Sequence, residues 1–489
     1  MNNQRHHGRH SFVGKNELCS MSSYDKEQIG RFGRMFRSLS PLYLKPKSLE
    51  ALGSADGPML SGDPANFTND IPLGMIFFGQ FIDHDITFDT TSNFFSINSP
   101  TEIENTRSAN LDLDCVFGGG PEDEPFLYDN PNTRGLYLLT GKTNNNQGQG
   151  VALEKHDLPR TGTGTAIIGD PRNDENRVLS QLQLAMIRFY NAAYDKLKSD
   201  YAANSISKSS KDIYEEAREL VTWHYQWVVI NEFLPAMCGQ KIVSDILGKG
   251  RQVYKPCDTG YIPVEFSVAA YRFGHSMIAE NIKLQPTGTE GSIFSPAIGM
   301  GFSPIKNNNQ IIDWKSFFDF DGTHQKAEQL DTKLAKALLD LKFINSTNPA
   351  DRSLATRNLR RGQSFLLPSG ESVAKCLDRP QSEIDDVKNL INNIAQTHDI
   401  DLSAGTPLWF YILAEAEEIG KLNDSGGSTP GEGLGPVGAI IVAEVIIGLL
   451  ELDPHSFLGS NRDWTPSFGN GNEFTMKDLL EMANTAIEL

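Results

Sequence analysis

The stretch FFGQFIDHDITF, residues 77–88, combines aromatic and aliphatic side chains with four strongly polar ones. Burying two carboxylates and an imidazole among aromatic rings is costly unless each polar group finds a partner. Helical spacing places Gln80, Asp83 and His84 on one face, at positions i, i+3 and i+4. Asp85 lies about 100° further round the helix and therefore faces a different neighbour. The stretch alone leaves two interpretations open, a satisfied polar network in the core or a ligand site.

The composition is typical of a soluble globular protein, with 489 residues, 39% hydrophobic and 22% charged. A net charge of -18 argues against nucleic acid and anionic membranes as partners. The longest apolar run, residues 437–450, is too short to span a bilayer and contains Glu444, so we predict a buried helix. The N-terminal residues lack the apolar segment of a secretory signal. We therefore expect a cytoplasmic or non-classically secreted protein.

Helical periodicity dominates the rest of the chain. Apolar residues recur at spacings of three and four in seven further segments: 178–200, 212–237, 264–283, 326–341, 384–396, 407–420 and 437–451. Strand-like alternation is rare, and the breaks are rich in Gly, Asn and Pro. We predict a mainly α fold with few short strands and long irregular loops. It would form one large domain, residues 65–489, preceded by an irregular N-terminal arm, residues 1–64.

The stretch RSANLDLDCVFGGG, residues 107–120, places oxygen-bearing side chains at every second position. These residues are Ser108, Asn110, Asp112 and Asp114. Such a loop can wrap a calcium ion, with the main-chain carbonyl of Asn110 as a further ligand and Asp85 completing the shell. An exposed acidic loop is the alternative interpretation.

Two more stretches place polar residues where helices begin or pack. In IIGDPRNDENRVLS, residues 167–180, Arg172 and Glu175 precede a helix, where they could simply form a capping cluster. In VEFSVAAYRFGHSMIAE, residues 264–280, His275 lies on an apolar helical face. It could be a ligand, or it could be a core histidine whose nitrogens are hydrogen-bonded within the protein. Gly274 costs about 1 kcal/mol in a helix interior, which indicates that something bulky lies close to it.

Taken together and in this order, the stretches resemble the animal-type haem peroxidase (peroxidase–cyclooxygenase) superfamily. GQFIDHD is similar to its distal motif, GDPRNDE to its catalytic arginine segment and YRFGH to its proximal histidine segment. LATRNLRRGQ, residues 354–363, is similar to the segment that carries the proximal asparagine. The resemblance covers roughly residues 65–455.

On the distal side, the resemblance implies that His84 takes a proton from hydrogen peroxide and returns it to the leaving oxygen. Arg172 would stabilise the charge that develops as the O–O bond breaks. Gln80 would hold the distal water or a halide. The implied activity is reduction of hydrogen peroxide and oxidation of small donors (halides, thiocyanate or phenols) through a ferryl intermediate.

On the proximal side, the resemblance implies that His275 binds the iron of haem b and that Asn358 accepts a hydrogen bond from its Nδ1–H. Two carboxylates match those that form ester bonds to haem methyl groups in the family, Asp83 and Glu175, so we expect covalently linked haem. Two arginines match those that pair with the haem propionates, Arg272 and Arg361. The calcium site that the family carries beside the distal histidine would use Asp85, Ser108, Asn110, Asp112 and Asp114.

Two rival interpretations stay open. In the first, the chain is a haem fatty-acid dioxygenase of the same superfamily. Arg272 stands where those enzymes carry a radical tyrosine, and Tyr271, one place away, would be a displaced radical site. In the second, the chain is a calcium-stabilised interaction protein that has lost haem. We expect a monomer with hydrogen peroxide and small donors as its partners.

Overall fold

Helices build most of the structure, a computed structural model that describes residues 30–62, 66–129, 135–141, 155–257, 259–469 and 473–485. Ten α-helices of eight or more residues lie in these ranges. They are α1 (Pro46–Gly53), α2 (Leu73–Ile86), α3 (Arg177–Ala203), α4 (Ser210–Val228), α5 (Gln240–Lys249), α6 (Leu354–Ser364), α7 (Gln381–Thr397), α8 (Leu408–Glu418), α9 (Pro436–Leu452) and α10 (Met476–Thr485). The predicted mainly α fold is confirmed.

Short helical turns connect these helices. The α-helical turns are Asp114–Phe117, Leu234–Cys238, Lys336–Leu339, Pro349–Arg352, Gly370–Cys376 and Phe457–Ser460. The 3-10 turns are Pro100–Glu102, Pro125–Leu127, Pro171–Asp174, Ala270–Met277, Asn308–Gln310 and Trp314–Ser316, and π-helical turns span Val229–Phe233 and Glu265–Ala269.

The described strands form four two-stranded ribbons. Phe32–Gly33 pairs parallel with Ile262–Pro263. The antiparallel pairs are Phe67–Pro72 with Lys326–Glu328, Ile282–Lys283 with Glu290–Gly291, and Lys421–Leu422 with Ser428–Thr429.

Helix α2 contains residues 77–86 of the opening stretch, and all but two of the residues of α2 are buried. The two exceptions are Gln80 and Asp83, which face a cavity. The helix ends at Ile86 and is capped by Thr87, whose N–H and hydroxyl both donate to the main-chain oxygen of Asp83, at 2.9 and 3.0 Å. On the opposite side, Phe78 packs edge-to-face against Tyr225, which contributes about 0.5–1.5 kcal/mol beyond burial.

The apolar run over residues 437–450 lies within α9 and is buried, as predicted. Its single charge is satisfied, because Glu444 accepts three hydrogen bonds from the N–H groups of residues 252–254, at 2.6, 2.7 and 2.8 Å. In the part of the chain that the structure describes, no helix is long and apolar enough to cross a bilayer.

Two helix predictions are wrong in part. Residues 264–283 form a π turn, then the 3-10 turn Ala270–Met277, and end in a strand. The helix breaks because Ala269 leaves helical geometry (φ -125°, ψ -75°), and the Nε of Arg272 donates to the main-chain oxygen of Ser267. Residues 326–341 begin as a strand, because the edge of Phe67–Pro72 pairs with them, and only Lys336–Leu339 is helical.

The predicted irregular arm, residues 1–64, contains regular structure. Helix α1 packs against α6, and Leu49 and Leu52 are buried there. A Cβ at Gly53 would meet the main chain of Thr356 at 2.5 Å, so only glycine permits this close approach. Residues 1–29 and 63–64 lie outside the described residues, and the domain boundary at residue 65 stays a prediction.

Packing brings the chemical motifs together. Helix α2 contacts α3 and the Ala270–Met277 turn, and α8 and α9 contact the same turn. The side chain of Asn176 caps α3 by accepting from the N–H of Leu179 at 2.9 Å, which fixes the 170–176 segment where α3 begins.

Candidate functional site

A cavity of about 540 Å³ lies between α2, the start of α3, the Ala270–Met277 turn and α6. Two histidines line it from different elements, His84 from α2 and His275 from the turn. Most of its wall is apolar and includes Ile76, Phe233, Ile278, Ile293 and Phe294. This volume lies in the range of about 300–1,000 Å³ that small-molecule and cofactor sites occupy.

A chain of hydrogen bonds fixes the protonation of His84. Its Nδ1 lies 2.8 Å from Oδ1 of Asn173, Nδ2 of Asn173 donates to Oε1 of Gln183 at 2.8 Å, and Nε2 of Gln183 donates to the main-chain oxygen of Cys115 at 3.1 Å. Because a carbonyl only accepts, each amide has one possible orientation, and His84 must donate through Nδ1–H. Its Nε2 therefore carries a lone pair beside the cavity.

His84 is a weak base in this setting. Burial, with a smaller contribution from the charge of Arg172, lowers the pKa of His84 to about 3. The imidazole is therefore neutral across the physiological range, and a proton that it accepts is readily given up again.

Gln80 and Glu175 form a second polar pair on the same wall. Nε2 of Gln80 donates to Oε1 of Glu175, and Nδ2 of Asn176 donates to Oε1 of Gln80 at 3.3 Å. Oε1 of Glu175 also lies 3.9 Å from Nε2 of His84. Although 34% of the Glu175 side chain is accessible, it lines this cavity, and burial raises the pKa of Glu175 to about 7.

Asp83 lines the cavity one helical turn from Gln80. Its Oδ1 accepts from the hydroxyl of Thr87 at 3.1 Å. Burial raises the pKa of Asp83, and the charges of Arg172 and Arg272 partly oppose that rise. Both carboxylates predicted to bond covalently to a cofactor thus lie on the cavity wall.

His275 and Asn358 are adjacent, but the amide points opposite to the prediction. Nδ2 of Asn358 lies 2.9 Å from Nδ1 of His275, so the amide donates rather than accepts. Its Oδ1 accepts from Nη1 of Arg272 at 3.2 Å, and reversing the amide would place two donors face to face. Burial, followed by the charge of Arg272, lowers the pKa of His275 to about 3.

Arg172, predicted to act on the bound substrate, does not line the cavity. Its Nη2 donates to Oδ2 of Asp170 at 2.7 Å and to the main-chain oxygens of Thr87 and His84, at 2.6 and 3.0 Å. Its guanidinium also stacks over the ring of Phe88, 4.2 Å from the centroid. Arg172 therefore holds the end of α2, because Asp170 and two main-chain oxygens satisfy its guanidinium there.

The second predicted propionate partner, Arg361, also lies off the cavity wall. Its Nη1 donates to Oδ2 of Asp89 at 3.1 Å and to the hydroxyl of Ser92 at 2.6 Å. Arg357, one helical turn earlier on α6, lines the cavity instead, as does the predicted Arg272. Sequence reasoning missed Arg357, although it directly precedes Asn358.

The predicted cation ligands converge only in part. Carboxylate oxygens of Asp85, Asp112 and Asp114 lie within 4.8 Å of one another, and all three residues are buried. Oδ1 of Asp85 makes no hydrogen bond to any residue that the structure describes, while its Oδ2 accepts from the N–H of Leu113 at 3.2 Å. Burial, followed by the charges of Asp114 and Asp112, raises the pKa of Asp85 well above its ordinary value.

Ser108 and Asn110 lie in the same loop at half-buried positions. The hydroxyl of Ser108 donates to Oδ1 of Asp112 at 2.8 Å, so it borders the carboxylates. Among the described residues, no hydrogen bond places an oxygen of Asn110 beside the three carboxylates.

Apolar side chains surround the mouth of the cavity. Met300, Phe302 and Phe343 line the cavity and are 47%, 64% and 63% exposed. Phe302 has a left-handed backbone (φ 52°), which is strained for an aromatic residue. A Cβ at Gly301 would collide with the main-chain oxygen of Glu175, so glycine allows this loop to lie directly against the site.

The hydroxyl of Tyr271 is, like Oδ1 of Asp85, a buried polar group without a hydrogen-bond partner among the described residues. Tyr271 lines the cavity and is 8% exposed. Its ring stacks on Phe266, with the centroids 4.6 Å apart. Burial raises the pKa of Tyr271 well above its ordinary value, so the phenol is protonated.

Comparison with known proteins identifies the family. Residues 95–402 match the sequence model described as "Animal haem peroxidase". Peroxidase mlt-7 of Caenorhabditis elegans is 24% identical over 327 residues, which cover 63% of this chain and 42% of that protein. The chain spans less than half the length of the curated relatives that it matches first.

Two solved structures share the fold. Peroxidase A from Dictyostelium discoideum superposes with a TM-score of 0.59 at 15% identity, covering 94% of this chain and 93% of that chain. A fatty acid alpha-dioxygenase from Oryza sativa superposes with the same TM-score and identity, covering 94% and 79%. At these identities the likeness concerns the fold alone.

Proposed function

This chain belongs to the animal haem peroxidase family, and from that premise we propose that its cavity binds haem b and reduces hydrogen peroxide while oxidising small donors. The donors would be halides, thiocyanate or phenols. The observation that carries the proposal is the pair His84 and His275 in one cavity, with the lone pair of His84 Nε2 held towards it.

The residues present fit a haem. Nε2 of His275 makes no hydrogen bond to a described residue and is the iron ligand that we propose. A Cβ at Gly274 would meet only Ile76, at 3.5 Å, so open space reaches the backbone beside His275. Arg272 and Arg357 offer charges for the two propionates, whereas Arg361 is held by Asp89.

Iron binding through Nε2 would put the proton of His275 on Nδ1. Asn358 would then have to turn its amide oxygen towards Nδ1–H. That reversal becomes possible once Arg272 leaves Oδ1 of Asn358 for a propionate. We therefore propose that Arg272 links cofactor binding to the protonation of the proximal histidine.

His84 would act as the acid–base group. Its Nε2 accepts a proton from peroxide and returns it to the oxygen that leaves as water. Gln80, hydrogen-bonded to Glu175 and Asn176, would orient the bound peroxide through its amide. The haem, when bound, supplies the redox chemistry between peroxide and donor.

For Arg172 we propose an electrostatic role at longer range. Although it lies off the wall, its charge adds to the effect of burial in lowering the pKa of His84. It also opposes the rise that burial causes in the pKa values of Asp83 and Glu175. It therefore favours negative charge in the cavity, as bond cleavage in peroxide requires.

The test is an absorption spectrum followed by turnover. We expect a Soret band in the purified protein, and peroxide-dependent oxidation of bromide and of a phenol. A flat spectrum after reconstitution with haem would refute the proposal.

A second candidate, a haem fatty-acid dioxygenase, is favoured by Tyr271 and by the apolar mouth at Phe302 and Phe343. It predicts oxygen uptake with linoleate that the Tyr271→Phe variant loses. The peroxidase proposal instead predicts no such uptake, and bromide oxidation that the same variant retains.

Covalent attachment of the haem is the next prediction. Each ester would join a carboxylate oxygen of Asp83 or Glu175 to a haem methyl carbon. One methyl C–H bond would break as the C–O bond forms, so the methyl group would lose one proton and two electrons. Those two electrons, that proton and a second one from solvent would reduce one hydrogen peroxide to two waters. After turnover with peroxide, acidified acetone should leave the haem on the protein. Asp83→Asn should remove one link, and the double variant Asp83→Asn with Glu175→Gln should remove both. Asp89→Asn, at a carboxylate off the cavity wall, is the control and should remove neither.

Full extraction from the wild type after turnover would contradict this prediction. Mass spectrometry of the peptides that contain Asp83 and Glu175 distinguishes one link from two.

We also propose a calcium ion at Asp85, Asp112 and Asp114. Three buried carboxylates within 4.8 Å of one another repel strongly, and Oδ1 of Asp85, which has no hydrogen-bond partner among the described residues, could bind a cation. Hard carboxylate oxygens suit calcium. Ser108 and the carbonyl of Asn110 would complete the shell.

Removing calcium is expected to destabilise the protein. At 100 times the dissociation constant, binding stabilises the folded state by about 2.7 kcal/mol, so a chelator should lower the melting temperature by several degrees. Asp85→Asn should abolish this response in thermal unfolding, and the exposed Asp386→Asn should not. An unchanged calcium response in Asp85→Asn would exclude the site.

A further inference from the structure

A continuous line of ion pairs joins the acidic cluster (Asp85, Asp112 and Asp114) to Arg172. Nη1 of Arg107 lies 3.4 Å from Oδ1 of Asp114, and its Nη2 lies 2.8 Å from Oδ2 of Asp170. Nη2 also donates to the main-chain oxygen of Gly169 at 3.0 Å. The Arg107 and Asp170 side chains are 4% and 0% exposed, so water barely screens these charges.

Asp170 holds Arg172 with both oxygens. Its Oδ1 accepts from the N–H and Nε of Arg172, at 2.8 and 3.1 Å, and its Oδ2 accepts from Nη2 at 2.7 Å. Burial alone would raise the pKa of Asp170, but the hydrogen bonds and charges of Arg172 and then Arg107 bring it to about 2. Arg172 in turn binds the main-chain oxygens of His84 and Thr87, where α2 ends.

We propose that Arg107 and Asp170 form a relay that couples cation binding at the acidic cluster to the position of Arg172. The proposal rests on the proposed function, since it takes the cation and the haem as given. A bound cation competes with Arg107 for Asp114, which shifts Arg107 towards Asp170. Asp170 is then shared more evenly between two arginines, and its hold on Arg172 weakens.

Arg107 and Asp170 are positioning residues, and the relay gives their variants opposite effects on calcium affinity. Arg107→Gln removes a positive charge beside the carboxylates and should tighten calcium binding about tenfold. Asp170→Asn removes the carboxylate that competes with Asp114 for Arg107, so Arg107 should bind Asp114 more strongly and calcium binding should weaken by about the same factor. A loosened fold would instead weaken binding in both variants.

The first experiment measures the calcium affinity of the 489-residue chain by isothermal titration calorimetry. Arg251→Gln is the matched control, since Arg251 forms a half-buried ion pair with Glu451 at 2.8 Å. We expect opposite shifts in the two relay variants and none in the control. Shifts of the same sign, or no shift in either variant, would overturn the relay.

The second experiment measures ligand binding on the His84 side of the cavity, without enzymatic turnover. Cyanide affinity of the ferric holoprotein, followed by the Soret shift, should differ at least fivefold between calcium-loaded and chelated wild type. In Arg107→Gln this difference should vanish, and if it persists the relay is wrong. This variant suffices if Asp170→Asn does not fold.

Failure of the proposed function can be distinguished from failure of the relay by the absorption spectrum and the calcium titrations. A wild type with no Soret band refutes the haem proposal, while the calcium titrations still decide the relay. A wild type that binds no calcium refutes the calcium site and the relay together, with the peroxidase proposal intact.

Discussion

His84→Ala is expected to slow the reaction with hydrogen peroxide by about 10²–10⁴-fold, the usual contribution of a positioned acid–base group. The structure holds the lone pair of Nε2 at the cavity through the chain Asn173, Gln183 and the main-chain oxygen of Cys115. No other described imidazole on the cavity wall is available for this role, because His275 is the proposed iron ligand. Stopped-flow absorbance of the Soret band measures the rate constant directly.

The pH dependence follows from the pKa of about 3 for His84. The base is unprotonated above that value, so protonation of His84 should slow the wild-type reaction only below about pH 4. His398→Ala, on an exposed helix end, serves as the control for histidine removal. A His84→Ala rate constant within threefold of the wild type would assign the proton transfer to another group.

Removing the imidazole of His275 should have the second large effect. His275→Ala is expected to lose tightly bound haem and all peroxidase activity, because His275 would supply the axial ligand. His84→Ala should retain its Soret band, which separates the two roles. The measurement is Soret absorbance per protein after gel filtration.

Chemical rescue sharpens this prediction. Free imidazole should restore part of the Soret band of His275→Ala, since alanine leaves a space beside Gly274 that imidazole can enter. A His275→Ala variant that keeps a wild-type spectrum without imidazole would place the iron ligand elsewhere.

Helix α2 shows which features of the site can be predicted from the local sequence alone. The 3.6-residue period alone predicted that Gln80, Asp83 and His84 share a face and that Asp85 points elsewhere, and α2 has that geometry. The order of the motifs was enough to predict the family. The helix predicted over residues 326–341 failed because its first residues pair with Phe67–Pro72, a partner more than 250 residues away that no local period encodes.

The residues of the candidate site also fall into two groups, those whose placement the sequence predicts and those whose placement it does not. Residues that line the cavity because of their own helix or turn, such as His84, Asp83 and His275, follow from sequence. The placements of Arg172 and Arg361 do not, because Asp170 and Asp89 hold them off the cavity wall. A long, flexible arginine side chain adopts whichever position pairs its charge best, and that choice depends on the folded surroundings.

The sequence by itself determined the family, the mainly helical fold and the residues of α2 that face the cavity, because these depend on short-range order along the chain. Only the tertiary structure decided which charges pair. The line from the acidic cluster through Arg107 and Asp170 to Arg172 joins residues more than 60 positions apart. Such pairs form because a buried charge is costly unless opposite charges and hydrogen bonds compensate it, and burial exists only in the folded chain.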